Sequence, residues 1–268
     1  MRLSDSDVKA AAADLYNAEK TGTQIGLLSL RYPSLDMGDA YRIQSALIEH
    51  KKAAGRTVIG WKIGLTSKAM QQALNIDIPD SGVLLDDMCF DNGTTIAAGH
   101  FIQPRIEAEI AFVMKAPLAG DNITRDAVVA ATDYVAPSIE ILDTRILRND
   151  PETGTARIIV DTISDNAANA GIVLGDHHHP LDSQDLRWVG AIVSRNGDVE
   201  ETGLGAGVLN DPIESVVWLA QRLSQYGQKI EAGQVILSGS FIRPLECPSG
   251  SQIDADFGSF GSVNINFA

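Results

Sequence analysis

The sequence predicts an α+β fold, with helices leading and a β-rich body following. Three observations carry this. Helix-period apolar spacing dominates the first part of the chain, strand-compatible runs with Asn-Gly pairs take over after about residue 80, and the tail alternates as SVNINFA. A helix-rich part over 1–75 is expected to feed a β-rich core over 76–268, the two forming one integrated unit.

The elements follow in order. Ser4, with acidic residues just behind it, opens a helix that Gly22 stops. A second helix runs from about Asp36 to His50 or beyond, with Ala40, Ile43, Leu47 and Ile48 at helical spacing and Gly55 as its stop. TVIGWKIGL reads as a strand carrying Lys62, with Gly60 and Gly64 keeping the backbone close to a neighbour. Asn92-Gly93 and Asn196-Gly197 are two-residue hairpin signals. Thr124 to Tyr134 reads as a short helix. Asp211 and Pro212 cap another that ends near Gly227.

Composition bounds the function. Apolar residues make up 44% of 268 and charged ones 21%, ordinary for a globular protein that buries a core. A formal charge of −14 argues against a nucleic-acid binder, which needs a cationic stripe. An acidic substrate stays open, since a metal ion and a few local cations can reverse the sign at one site. No apolar run approaches the ~20 residues of a membrane span. The start lacks a signal peptide's apolar stretch, so the cytoplasm is the expected compartment. Cys89 and Cys247 are expected as free thiols in a reducing setting.

The most informative stretch is PRIEAEIAFVM. Side chains alternate along a strand, so Arg105, Glu107 and Glu109 share one face while Ile106, Ala108 and Ile110 take the other. Two like charges inside an apolar strand either protonate or need a cation. APSIEILDTR places Glu140 between Ile139 and Ile141 in the same way. Three such carboxylates suit a hard cation, Mg²⁺ or Mn²⁺ rather than zinc. The alternative is a half-exposed sheet face on which the glutamates meet Arg105 or Arg145.

Other residues carry two readings each. Lys62 is a snorkelling lysine or a pocket cation. Asp80 is a turn residue or a site carboxylate. Asp161, Ser164, Asp165 and Asn166 form a capped loop or a polar wall. The run His177-His178-His179 reads as a solvated loop, because adjacent residues do not converge easily on one ion. TGLGAGVLN lacks the G-x-G-x-x-G spacing and does not open a βαβ unit, which excludes a nicotinamide site. No G-x-S-x-G, P-loop or H-E-x-x-H occurs.

GWKIGLTSKAMQ, PDSGVLLDDM, PRIEAEIAF, ATDYVAPSIEILDTR, VDTISDNAANAG, GVLNDP and GQVILSGSFIRP stand here in the order of a known family. From about Leu28 to its end, the chain resembles the 2-oxo-acid hydratases and decarboxylases of the fumarylacetoacetate hydrolase superfamily. The resemblance implies a β-rich core of mixed, rolled sheets with an N-terminal helical part. It also implies homo-oligomers, pentamers or decamers, acting in aromatic catabolism. It maps metal ligands onto Glu107, Glu109 and Glu140, and catalytic roles onto Lys62, Asp80 and Ser164, with Leu74 and Ser240 as pocket contacts.

The insert around RNDPETG is similar to the homoprotocatechuate branch. That implies hydration of 2-oxohept-4-ene-1,7-dioate through a Mg²⁺-held dienolate, giving 4-hydroxy-2-oxoheptane-1,7-dioate. One of Arg145, Arg148 and Arg157 is expected to hold the distal carboxylate. The HHHP stretch departs from the family pattern but lies away from every mapped ligand. The rivals are a 4-oxalocrotonate-type decarboxylase, a 2-oxopent-4-enoate hydratase, a C–C hydrolase and a non-catalytic oligomeric scaffold. The hydrolase lacks the H-x-x-E it would want at His50 or His100.

Overall fold

The computed structural model describes residues 2–73, 76 and 78–268. Leu74 lies outside the described residues.

Helix α1 (Asp5–Thr21) begins where the Ser4 hydroxyl accepts from the Asp7 N–H, and ends at Gly22, whose φ of 64° closes the last turn. After α2 (Leu28–Arg31), helix α3 (Met37–Ala53) is capped by Asp36, whose carboxylate accepts from the Asp39 N–H at 2.8 Å. The apolar faces of α1 and α3 meet through Val8, Leu15, Ile43 and Leu47, giving the N-terminal part its own small core.

Strand β1 (Val58–Gly64) then enters the main sheet rather than staying with the helices. It lies antiparallel to β2 (Asp80–Leu85), with the short α4 (Lys68–Ala73) between them in sequence, and parallel to β10 (Val235–Leu237). Antiparallel pairing continues through β5 (Arg105–Met114), β6 (Thr132–Leu142) and β7 (Asn169–Leu174). The parallel β3 (Cys89–Phe90) closes one edge, and β11 (Leu245–Glu246) adds to β5. A second sheet runs β4 (Thr95–Ile96), β13 (Ser262–Phe267), β12 (Gln252–Asp256), β8 (Gly190–Arg195) and β9 (Asp198–Leu204). The shared core lies between the sheets and under α7 (Pro212–Ser224), and includes Phe112, Ile139, Leu219, Phe260 and Ile265. Helices with mixed sheets make this α+β, as expected.

Three local readings differ in detail. Asn196-Gly197 does turn a hairpin, with both residues at positive φ and Arg195 opposite Asp198. Asn92-Gly93 does not. β3 pairs in the main sheet and β4 in the second, so this turn hands the chain from one sheet to the other. There the Asn92 side chain accepts from the Asn264 N–H and donates to Asp176. The helix expected through Tyr134 is α5 (Arg125–Ala131), because Thr132 already pairs with Met114 and strand pairing replaces the helical ladder. α7 ends at Ser224, with Gly227 at φ 67° just beyond.

His178 stacks on Tyr134, and His179 stacks on Phe260 and bonds its carbonyl, so only part of the histidine run is solvated. Cys89 and Cys247 are both free, the first exposed and the second buried. Among the described residues no helix is long and apolar enough to cross a membrane.

Candidate active site

The register of β5 against β6 builds the centre of the site. Glu107 stands opposite Glu140, and Glu109 opposite Ser138, so the carboxylates of two neighbouring strands converge on one face. One oxygen from each of Glu107, Glu109 and Glu140 lies within 4.8 Å of the others. Glu109 and Glu140 are fully buried, and Glu107 keeps some exposure toward a cleft of about 440 Å³.

The partners are few. Glu109 Oε2 accepts from the Gly239 N–H at 2.7 Å, while its Oε1 is buried without a hydrogen bond. Glu140 Oε1 accepts from Asn169 Nδ2 at 2.7 Å and lies 3.4 Å from Lys62 Nζ, while its Oε2 is likewise unpartnered. Buried anionic oxygens without donors are costly, and their number and hardness fit a divalent cation of the Mg²⁺ type.

Lys62 and Asp80 arrive on the paired strands β1 and β2, and both are buried. Two glycines make the room. A Cβ on Gly64 would stand 2.2 Å from Asp80 Oδ1 and 3.0 Å from Lys62 Nζ, so a side chain there would collide with both. Gly239, at φ 118°, turns its N–H onto Glu109 in a conformation that L side chains rarely adopt.

The electrostatics follow from four carboxylates around one ammonium. Burial works against the charge on Lys62, but Glu140, Asp80, Glu107 and Glu109 together hold it above its ordinary pKa. Burial, then the neighbouring Glu140, pushes Glu107 from 4.5 up to about 8. Glu109 is raised well above its ordinary value by burial and then by Glu140 and Glu107, and Glu140 is raised by burial against the pull of Lys62. Asp80 is raised by burial and opposed by Lys62 and the Gly64 N–H.

One prediction concerns protons. At pH 7 a carboxyl titrating near 8 is mostly protonated, so cation binding must expel its proton. Calorimetry of Mg²⁺ binding in two buffers of different ionisation enthalpy should show about one proton or more released per ion. The raised pKa also sets a sign for stability. Its contribution is full below about 4.5 and is lost as pH rises through about 8, so chelator-treated protein should melt lower at pH 8 than at pH 5. Added Mg²⁺ should remove the difference. No proton release, together with a flat melting profile, would contradict the cluster.

The expected residues sort as follows. Lys62, Asp80, Glu107, Ser240, Arg148 and Arg157 line the cleft, with Glu109 and Glu140 packed behind Glu107. Ser164 is buried at the end of α6 (Ile159–Ser164), where its hydroxyl donates to the Val160 carbonyl, and it is not part of the cleft wall. Arg145 is turned away as well: its Nε donates to Asp165 Oδ1, and its Nη1 and Nη2 to the carbonyls of Asn169 and Asp165.

Two neighbours of the cluster, Asn169 and Asp143, escaped sequence reasoning, and Asn166, singled out there as a loop or wall residue, proves to hold the β2 backbone. Asn169 was visible only as a polar residue among small ones. Asp143 accepts from the Ile102 and Gln103 N–H groups, fixing the loop that brings Gln103 to the cleft. Asn166 clamps Val83 with both ends of its amide while three consecutive residues, Asn166 to Ala168, hold positive φ.

No family model matches the chain. It is 50% identical to a 2-oxo-hept-4-ene-1,7-dioate hydratase of Escherichia coli over 256 residues, spanning 96% of each chain. The chain belongs to the family of these hydratases and their related decarboxylases. Within that family it is 38% identical to a 2-keto-4-pentenoate hydratase of Paraburkholderia xenovorans, covering 96% of this chain and 93% of that one. A solved 4-oxalocrotonate decarboxylase from Pseudomonas putida G7, complexed with magnesium and adipate, superposes with a TM-score of 0.93 at 33% identity, over 100% of both chains. The protein is thus an enzyme of a hydratase family with a divalent-metal site among its relatives.

Proposed function

We propose that this enzyme adds water to 2-oxohept-4-ene-1,7-dioate, giving 4-hydroxy-2-oxoheptane-1,7-dioate in aromatic catabolism of the homoprotocatechuate type. The observation that carries the reading is the buried glutamate cluster beside Lys62 at one end of an arginine-bearing cleft. The name of the half-identical Escherichia coli relative supports the substrate, and the magnesium and adipate bound to the decarboxylase relative support both the ion and a dicarboxylate.

Glu107, Glu109 and Glu140 would hold Mg²⁺, with Mn²⁺ as a substitute, and the ion supplies Lewis acidity toward a 2-oxo acid. The protein's own groups do the rest. Water does not add usefully to an isolated 4-ene, so the double bond must first move into conjugation with the ketone. Loss of a C3 proton throws negative charge onto the 2-oxo oxygen, and the Lys62 ammonium opposes that charge from a buried position. Reprotonation at C5 leaves a 3-ene. Water then places its oxygen on C4 and a proton on C3. Asp80, buried and raised in pKa beside Lys62, is suited to carry a proton to or from the carbon chain. Ser164 braces the turn that ends α6, and Ser240 presents a polar edge to the cleft.

A cytoplasmic setting accords with the two free thiols, and homo-oligomeric assembly is carried over from the family resemblance.

The test is product identification. Incubated with 2-oxohept-4-ene-1,7-dioate and Mg²⁺, the protein should yield the 4-hydroxy-2-oxo diacid by NMR and no activity after chelation. Release of CO₂ from 4-oxalocrotonate faster than hydration would favour the second reading, a decarboxylase, which the 33%-identical structural relative keeps in view.

A further inference from the structure

The insert between β6 and α6 folds back as a short hairpin. The Arg157 N–H donates to the Arg148 carbonyl, Asn149 bridges Ala156, and Asp150 ties the turn through Thr153 and Gly154. This sets Arg148 and Arg157 side by side across the hairpin, both on the cleft wall. Their charges are not equivalent. Arg105 and Arg148 both approach Glu246, at 2.6 and 3.3 Å, and Arg243 pairs with Glu201 at 2.6 Å. Each of Arg105, Arg148 and Arg157 keeps one buried nitrogen without a hydrogen-bond partner, but among the described residues only Arg157 of the three has no carboxylate within ion-pair distance.

We propose that Arg157 is the specificity-determining residue of the cleft, holding the carboxylate at the far end of a 2-oxo dicarboxylate. A planar guanidinium on the cleft wall, with no carboxylate paired to it and one buried donor unmet, suits a carboxylate, and leaving it unpaired is unfavourable unless an anion completes it. Burial lowers the Arg157 pKa, and the nearby positive charges of Arg105 and Arg145 act in the same direction against Asp165 and Asp161, so a ligand anion is favoured there. Arg145 cannot take this role while its guanidinium serves Asp165 and Asn169. Arg148 already shares Glu246 with Arg105.

The inference rests on the reading that the oxo-acid end of the ligand lies at the glutamate cluster, and its test avoids turnover. The Mg²⁺-loaded protein is titrated by calorimetry with two saturated probes, 2-oxoheptane-1,7-dioate and 2-oxoheptanoate. Wild type should prefer the diacid by roughly thirty- to several-hundred-fold. Arg157→Met should cut that ratio to less than about fivefold, Arg157→Lys should restore part of it, and Arg148→Met should keep most of it. Melting curves check that each variant folds, and the lysine variant carries the test if the methionine one does not. A wild type that binds both probes alike, an Arg157→Met or Arg157→Lys ratio equal to wild type, or an Arg148→Met that alone erases the preference would each overturn the assignment. Discrimination without hydration of any 2-oxo-enoate would instead count against the proposed reaction and leave the clamp standing.

Discussion

Glu109→Gln is expected to abolish Mg²⁺-dependent turnover, lowering it by about three orders of magnitude at fixed metal, because one of three anionic ligands becomes neutral. The geometry sharpens the expectation. If the amide oxygen keeps the Gly239 N–H, the NH₂ takes the place of the unpartnered Oε1 and turns positive dipole toward the cation. If the amide flips, two donors face each other at Gly239. One orientation turns donors on the ion, and the other offers it only a neutral oxygen while losing the Gly239 bond. The fold should survive, since burial and the neighbouring Glu140 and Glu107 already disfavour the charge on Glu109 in the metal-free cluster, and a neutral amide of the same shape replaces it. Calorimetry with Mg²⁺, kcat and a melting curve of the chelated variant read the three parts. Wild-type metal affinity in the variant would remove Glu109 from the ligand set.

Lys62→Met should be nearly as severe, with an expected loss on the order of a thousandfold, because a buried ammonium at the developing charge is among the larger electrostatic contributions an active site makes. Methionine matches the length of the aliphatic stem and removes the charge beside Glu140. If Lys62 opposes the charge produced when C3 loses its proton, exchange of C3 protons with deuterated water should slow in step with hydration. NMR follows both in one sample. Exchange at the wild-type rate with hydration gone would move Lys62 to a later step, such as handling the water.

How much of this was legible beforehand depends on the range of the interactions involved. Helix ends are decided within a turn, so Ser4, Gly22, Asp36 and Asp211 announced theirs in the sequence, and the positive-φ pair Asn196-Gly197 announced a hairpin. The period of a strand is also local, which is why Glu107 and Glu109 could be placed on one face of β5 before any partner was known. The family resemblance then supplied the roles that spacing alone leaves open.

Pairing across the sheet is not local. Glu140 meets Glu107 only because β6 takes one register of several that its apolar alternation allows, and Lys62 reaches Glu140 only because β10, lying between them, joins β1 to β5 in one sheet. The same physics explains the misread turn. Asn92-Gly93 encodes a tight reversal, but which strands flank it depends on partners far along the chain, β7 and β13. Three arginines near the insert look alike in sequence. Tertiary structure alone separates Arg145, enclosed by Asp165 and Asn169, from Arg157, left on the cleft wall with a buried donor unpaired. The sequence by itself determined the helices, the strand faces and the chemistry-bearing residue types, since these rest on neighbours a few positions away. Which carboxylates share one cation, which lysine faces them and which arginine stays unpartnered were decided by strand register and burial, because those bring together groups the chain holds far apart.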